Sequence, residues 1–452
     1  MKILITGATG FVGKALALRL AERGHDLVAL SRSAARATAE IPAPCKVYDW
    51  DARSKPPAEA YAGVEAIVHL AGESVAGGRW TKERKRRILE SRVKSAQALL
   101  EGAPAPLKAY VSASAVGYYG DRGEEELGES ASPGGGFLAR VCLEWEAVAQ
   151  AHKAKFKRAV FLRTGIALGQ GGGALTEMLP IFQSGLGGPL GSGRQWLPWI
   201  HLEDLVSMYV EAISNEAWQG PINAVAPAQT RFKEFAAQLG EVLHKSAKLP
   251  APAFALKLAL GEMSSALLSS QKVLPKRAQE LGYKFKFPEL RGALQEVLQF
   301  EAEGDSTFRA VQWIPQELEK VFEFFSEARN LEKLTPPFLN FRVLQHEPEK
   351  ICRDCVIDYR LRVHGVPLQW RSRITEWVPP RHFVDDQVKG PYRKWVHLHT
   401  FEPFRGGTLV RDLVRYRLPL GMIGRIGGSR LVASDVGKIF AFRREAIART
   451  LS

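Results

Sequence analysis

The sequence predicts an α/β domain built on a parallel sheet, followed by a smaller α+β domain. Three observations carry this prediction. A glycine-rich turn at Gly7 joins a short apolar run to an amphipathic stretch; strand-like and helical segments then alternate to about residue 235; and beyond residue 300 long alternating runs end in one helical segment. At 452 residues, and about 150 residues per domain, two or three domains are expected. The expected division is 1–235 for a dinucleotide-binding domain, 236–300 for the remainder of a small substrate lobe, and 301–452 for the last domain. Apolar content of 46% with 24% charged residues is that of a folded globular chain, which excludes disorder. The most apolar long stretch, "APAFALKLALGEMSSALL" from Ala251, is interrupted by Lys257 and Glu262. It reads as an amphipathic helix, so no membrane span is expected.

The opening run "KILITGATGFVGKALALRLAERGHDLVALSRS" is a βαβ unit: a strand over Ile3 to Thr6, a helix ending near Gly24, and a strand over Asp26 to Leu30. Gly7, Gly10 and Gly13 punctuate it. The first permits a tight turn, the second lets the backbone approach a pyrophosphate, and the third lets helix and strand pack closely, with phosphate at the helix N-terminus. This is the signature of a Rossmann-type dinucleotide site. An NAD site would carry an acid at the end of the second strand to bind the ribose 2′-hydroxyl. The strand ends instead in "ALSRS", offering Ser31 and Arg32, so NADP(H) is the expected cofactor, with Arg32 pairing its 2′-phosphate. A solvated surface arginine is the bland alternative.

Strand-like runs "CKVYDW", "AIVHLAG", "LKAYVSAS" and "RAVFLRTG" follow at matching spacing. With "TGATGFVG", "HLAG", "VSASAVGYYG", "LRTGIALG" and "WIHLEDLV", the chain resembles the extended short-chain dehydrogenase/reductase superfamily. More narrowly, "GRWT", "ILESRV", "SASAVGYYG" and "FLARVCLEWE" resemble an atypical nucleoside-diphosphate-sugar epimerase-like family of unassigned substrate. "LPAPAFALKLALGEMSSALLSSQKVLPKRAQELGYKFKFPEL" is similar to that family's C-terminal segment. The resemblance spans about residues 1 to 297. It implies a cofactor-binding set of Gly7, Thr9, Gly10, Phe11, Val12, Gly13, Ser31, Arg32, Asp49, Leu70, Ala71, Gly72 and Arg92.

The superfamily's chemistry uses a serine to hold the substrate oxygen, a tyrosine as proton donor, and a lysine to depress the tyrosine pKa. A free phenol, titrating near 10, is a poor base at neutral pH. Ser114 matches the serine. The helix "FLARVCLEWEAVAQ" lacks the other two: aligned on Glu146, Leu138 stands at the tyrosine position and Cys142 at the lysine position, while Arg92 falls near the superfamily's asparagine. Three readings stay open. A displaced group replaces the pair, namely Tyr118 or Tyr119 with Arg92 or Arg79 supplying positive field. Alternatively the reaction needs no strong base, as with a flavin or quinone-like acceptor. Or the fold has become a non-catalytic NADP(H)-binding sensor. On the substrate side the resemblance points to Arg79, Trp80, Arg194 and His201, with Gln195 and Trp196 nearby, and to a loop from Gly169 to Pro180 lying over the nicotinamide. The basic run from Lys82 to Arg87 reads as a solvated helix face with Ile88, Leu89 and Val93 turned inward.

The last domain begins with the strand "FRAVQWI" from Phe308. A helix pair rich in Phe and Leu follows, stopping at Pro336, then alternating runs, then the helix "VASDVGKIFAFRREAIARTL". On "VFEFFSEARNLEKLTPP" and "WRSRITEWVPP" it resembles the helix-grip superfamily that includes START-like proteins. That implies a cup for a hydrophobic ligand, with a simply packed core as the alternative. His364, His397 and His399 fall in expected strands. His397 and His399 share a face, but no third metal ligand is evident, and no metal is expected. The lone pair Cys352 and Cys355 reads as two thiols in or beside a strand, and four cysteines in all fit a reducing compartment. With no signal-like leader before Gly7, a cytoplasmic location is expected. The net charge of +14 is spread along the chain, so no nucleic-acid partner is expected. The expected activity is an NADP(H)-dependent oxidoreductase or epimerase-like reaction on a small, lipophilic carbonyl or quinone-like substrate, with a homodimer left open.

Overall fold

The computed structural model describes residues 1–104, 106–347, 350–419 and 421–451, in two compact units: Met1–Thr38 with Cys45–Leu298, and Ala39–Pro44 with Gln299–Ser452. The first unit is organised by seven parallel strands. Their spatial order is Gly220–Ala224, Ala159–Thr164, Ala109–Ala115, Ala66–His69, Lys2–Thr6, Asp26–Ser31, Cys45–Asp49. The chain reverses direction across the sheet between Lys2–Thr6 and Ala66–His69. That switch opens a crevice at the carboxyl ends of the strands, where such sheets bind ligands.

Both faces of the sheet are covered by helices, so its central strands are apolar without alternation: Ile3, Leu4, Ile5, Ile67 and Val68 are all fully buried. Helix Phe11–Glu22 follows the first strand and Lys82–Gly102 the fourth. The latter starts at Thr81, whose Oγ1 accepts from the Arg84 amide at 3.2 Å. Helix Phe137–Ala151 crosses below the fifth strand and buries Val141, Cys142 and Trp145. Later in this unit, Phe235 and Leu239 of helix Phe232–Val242 pack with Leu290 and Leu294 of helix Leu290–Val297. The stretch from Ala251 is not one amphipathic helix. It breaks at Gly261, in the left-handed region at φ 61°, into Ala253–Leu260 and Ser264–Leu268.

The second unit is a seven-stranded antiparallel sheet in the spatial order Ser306–Ile314, Gly407–Arg417, Lys394–Phe404, His382–Lys389, Val366–Val378, Val356–Val363, Arg342–Glu347. Helix Gly421–Thr450 buries Val436, Phe440, Ala446 and Ile447, and helix Leu318–Ser326 adds Val321, Phe322 and Phe325 to the core. The register sets Asp385 opposite His397 and Asp412 opposite His399, which brings four polar side chains to one face. His364 is in no strand. With Gly365 it forms a two-residue hairpin turn, at φ 50° and 83°, and this positive-φ pair splits the long alternating run there into two strands.

Candidate functional site

The crevice of the first unit begins at the glycine turn. Gly7 sits at φ 73°, and a Cβ there would lie 2.9 Å from the Leu70 carbonyl carbon. At Gly13 a Cβ would come within 2.1 Å of the Gly7 oxygen, so only glycine lets the helix start this close to the strand. Thr9 lies in the turn, and Phe11 and Val12 open the helix. Gly10 caps that helix without a side chain, and its first turn carries no acid, which leaves its amides and positive end to an anion. Across the switch point Thr6 Oγ1 and His69 Nδ1 lie 2.8 Å apart, and the same hydroxyl accepts from the Ala71 amide at 3.2 Å. These bonds fix the Leu70–Ala71–Gly72 strip beside the turn. His69, whose Nε2 is 3.1 Å from Ser95 Oγ, is held neutral by burial, its pKa lowered to about 4.

At the far side, Ser31 ends the second strand and Arg32 follows it. The Arg32 side chain is exposed and makes no hydrogen bond or ion pair among the described residues, so a full positive charge stands free where a 2′-substituent would project. Asp49 is occupied in capping helix Ala34–Glu40, accepting from the Ala34 amide at 2.7 Å. Arg92 is partly buried against Gly72. Its Nη1 donates to the carbonyls of Glu73 and Ile88, each at 3.0 Å, and its guanidinium faces the Trp145 ring at 5.3 Å. The loop after the sixth strand lies against Phe11: a Cβ on Gly172 would meet that ring at 2.4 Å. The uncapped helix and the glycine close-approach fit a bound dinucleotide.

Ser114, Tyr118 and Tyr119 are brought together, and the group that joins them is one the sequence pattern did not single out. Ser114 Oγ donates to Glu146 Oε1 at 2.7 Å. Arg163, register partner of Ser114, holds the same carboxylate bidentately, Nε to Oε1 at 3.0 Å and Nη2 to Oε2 at 2.9 Å. Arg163 also stacks over Tyr118, 3.4 Å from the ring centroid, and donates to Tyr119 Oη at 3.1 Å. Burial opposes the Arg163 charge, and Glu146 more than offsets it, holding the guanidinium above its ordinary pKa. Tyr119 is fully buried and gives its proton to Asn223 Oδ1 at 2.6 Å; burial pushes the phenol up to about 12, against the pull of Arg163. Tyr118 is only partly buried, and its hydroxyl forms no hydrogen bond among the described residues. The vacated pair positions are filled by packing. Leu138 lies against Gly117, and Cys142 donates to the Ala115 carbonyl at 3.6 Å, its thiol raised by burial to about 11.

The expected substrate-side residues hold the lobe together. The Arg79 guanidinium donates to the carbonyls of Leu258 and Ala259 at the end of helix Ala253–Leu260. Trp80 is buried, donates to the Val75 carbonyl at 2.9 Å and packs on Phe137. Arg194 is exposed, and its carbonyl accepts from Arg231. Both nitrogens of the buried His201 are engaged: Nδ1 accepts from the Glu203 amide at 3.2 Å as a helix cap, and Nε2 meets Glu296 at 2.9 Å. His201 thus caps its helix.

In the second unit, sheet and long helix enclose a cavity of about 470 Å³, walled by apolar side chains such as Phe325, Leu361, Trp370 and Phe440. Asp385, His397, His399 and Arg443 also line it. Asp412 accepts from both imidazoles: its Oδ1 lies 2.9 Å from His397 Nε2 and 2.9 Å from His399 Nδ1. Burial would raise the Asp412 pKa, but Arg443 and the two imidazoles hold it well below the usual carboxylate range. His397 is kept neutral, its pKa lowered by burial to about 4. Asp385 and Asp412 are the residues a search by local spacing misses, because each comes from a strand neighbouring the His-x-His strand.

A dinucleotide crevice with an altered acid–base set, joined to an apolar cup gripped by a helix, defines an extended short-chain dehydrogenase/reductase fused to a helix-grip domain. Residues 3–224 match the NAD dependent epimerase/dehydratase family, residues 251–297 a domain of unknown function (DUF1731), and residues 314–434 the polyketide cyclase/dehydrase and lipid transport family. The chloroplastic SDR39U1 homolog of Arabidopsis thaliana is 41% identical over 307 residues, covering 66% of this chain and 87% of the relative. The human epimerase family protein SDR39U1 is 37% identical over 306 residues, covering 66% of this chain and all of the relative. A crystal structure of human SDR39U1 (isoform 2) with NADPH superposes with a TM-score of 0.59 at 35% identity, over 66% of this chain and 99% of that one. MoeE5 in complex with UDP-glucose and NAD, at 19% identity and TM-score 0.56, shares the fold. The chain belongs to the SDR39U1 epimerase family. No described helix is long and apolar enough to cross a membrane.

Proposed function

We propose that this protein is an NADP(H)-dependent oxidoreductase or epimerase-like enzyme, cytoplasmic, acting on a small, lipophilic carbonyl or quinone-like substrate, with a hydrophobic ligand in its C-terminal cup. The observation that carries the reading is the chain Ser114–Glu146–Arg163 beside the cofactor crevice. Bound nicotinamide supplies hydride transfer. Ser114, whose proton is committed to Glu146, keeps its lone pairs free to accept from a substrate hydroxyl, so it orients the oxygen that gains or loses a proton. Arg163 holds the Glu146 carboxylate and stacks on the Tyr118 ring. Tyr118, partly exposed beside Ser114, is the proton donor of this reading. The NADPH bound by the human relative supports the cofactor form.

NADPH consumption against a panel of carbonyl and quinone compounds tests it. Ser114→Ala is expected to lower turnover about 100-fold while leaving NADPH affinity unchanged. The contrary reading, a sensor that binds NADP(H) without turnover, is favoured by the apolar filling of the pair positions by Leu138 and Cys142. Tight NADPH binding with no turnover on any panel member would establish it.

A further inference from the structure

We propose that Asp385, His397 and His399 form a binding site for a divalent first-row transition-metal ion in the cavity of the second unit, with Asp412 orienting the two imidazoles from behind. Asp385 Oδ2 lies 3.1 Å from His399 Nε2 and 3.5 Å from His397 Nδ1, and one donor atom from each of the three residues falls within 4.8 Å of the others. With metal–ligand bonds of about 2.1 Å, neighbouring donors around one ion stand about 3.0–3.5 Å apart. Each of the two nitrogens is therefore at coordination spacing from the Asp385 oxygen.

Each imidazole meets a carboxylate at both of its nitrogens, which makes four N···O contacts. A cation bound between Asp385 and the two rings would be coordinated by two nitrogens and one oxygen: His397 Nδ1, His399 Nε2 and Asp385 Oδ2. Asp412, accepting both far N–H groups, is then the outer carboxylate that fixes tautomer and ring orientation at metal-bound histidines.

The surroundings agree with this division. Asp385, His397 and His399 line the cavity, whereas Asp412 is not among the described residues on its wall. Arg443 also lines the cavity here, with Nη2 3.3 Å from His399 Nδ1 and 3.7 Å from Asp412 Oδ1. The rings are held in place by Phe383, stacked on His399 at 4.2 Å, and Phe440, edge-on to His397 at 5.5 Å. Two imidazoles with one carboxylate suit zinc, iron, cobalt or nickel rather than the oxygen-seeking magnesium or calcium. Three protein donors leave coordination positions open toward the apolar cavity, where an oxygen of a bound molecule would complete the shell.

The test is a titration of the untagged, chelator-stripped full chain with Co²⁺, read by visible absorption and by metal analysis after dialysis. The expected result is one Co²⁺ per chain without thiolate charge-transfer absorption, displaced by Zn²⁺. Asp385→Asn should abolish it, Asp412→Asn should weaken it about 10–100-fold with the circular dichroism spectrum unchanged, and the double substitution Cys352→Ser, Cys355→Ser should leave it intact. Absence of stoichiometric binding by the folded wild type, binding retained in Asp385→Asn, or binding lost with the two cysteines would each overturn the proposal.

Discussion

The two units each bury a cluster of charge, and the clusters differ in what they face. In the first, Glu146 receives Ser114 and both arms of Arg163, so the guanidinium–carboxylate pair is geometrically complete. In the second, two imidazoles stand between two carboxylates, and Asp385, His397 and His399 line a cavity. The closed pair holds a neighbouring hydroxyl and phenol in place, whereas the second cluster leaves three donors at the cavity wall, where the proposed cation would sit.

The largest effect that sharpens this contrast is expected from Gly13→Val. A side chain meeting the Gly7 oxygen should eliminate NADPH binding in titration, while Co²⁺ binding by the second unit persists. Loss of both would break the separation of the two sites. Next comes Glu146→Gln, which leaves the buried Arg163 charge uncompensated. Destabilisation of about 3 kcal/mol is expected in urea unfolding, and a change within experimental error would show that the pair does not hold the site. Acid should act more weakly. His69 has a folded pKa of about 4, below the ordinary value of 6.5, so the unfolded chain takes up its proton first. The stability from keeping it neutral is present above pH 6.5 and is lost as pH falls toward 4, with about 1.4 kcal/mol lost by pH 5.5. Unfolding of wild type and His69→Gln at pH 7.5 and 5.5 measures it; an equal pH dependence in the two would contradict the assignment. The smallest effect expected is that of Thr81→Ala, which removes one helix cap and should cost about 1 kcal/mol in the same assay.

Much of the first unit was legible because its signals are local. The turn at Gly7, Gly10 and Gly13 names its own geometry, and buried parallel strands such as "AIVH" are uninterrupted apolar runs. Arg163 was not legible. In "RAVFLRTG" it reads as the polar end of a strand, and only the register opposite Ser114 and the reach of Glu146 from a helix give it a role. The His-x-His pair was visible by its period of two, but Asp385 and Asp412 belong to neighbouring strands, where pairing rather than spacing brings them in. Gly261 and the His364–Gly365 turn were missed for a related reason: a single positive φ breaks a pattern that periodicity alone continues.

The most direct test of the dinucleotide site is titration of the wild type and Arg32→Ala with NADPH and NADH, followed by the fluorescence of bound nicotinamide. Tighter binding of NADPH than of NADH is expected, with a loss of about 10–100-fold in NADPH affinity and little change for NADH in the variant, the worth of a charge-assisted contact to phosphate. Equal NADPH affinity in the two proteins, or no binding of either nucleotide, would contradict it.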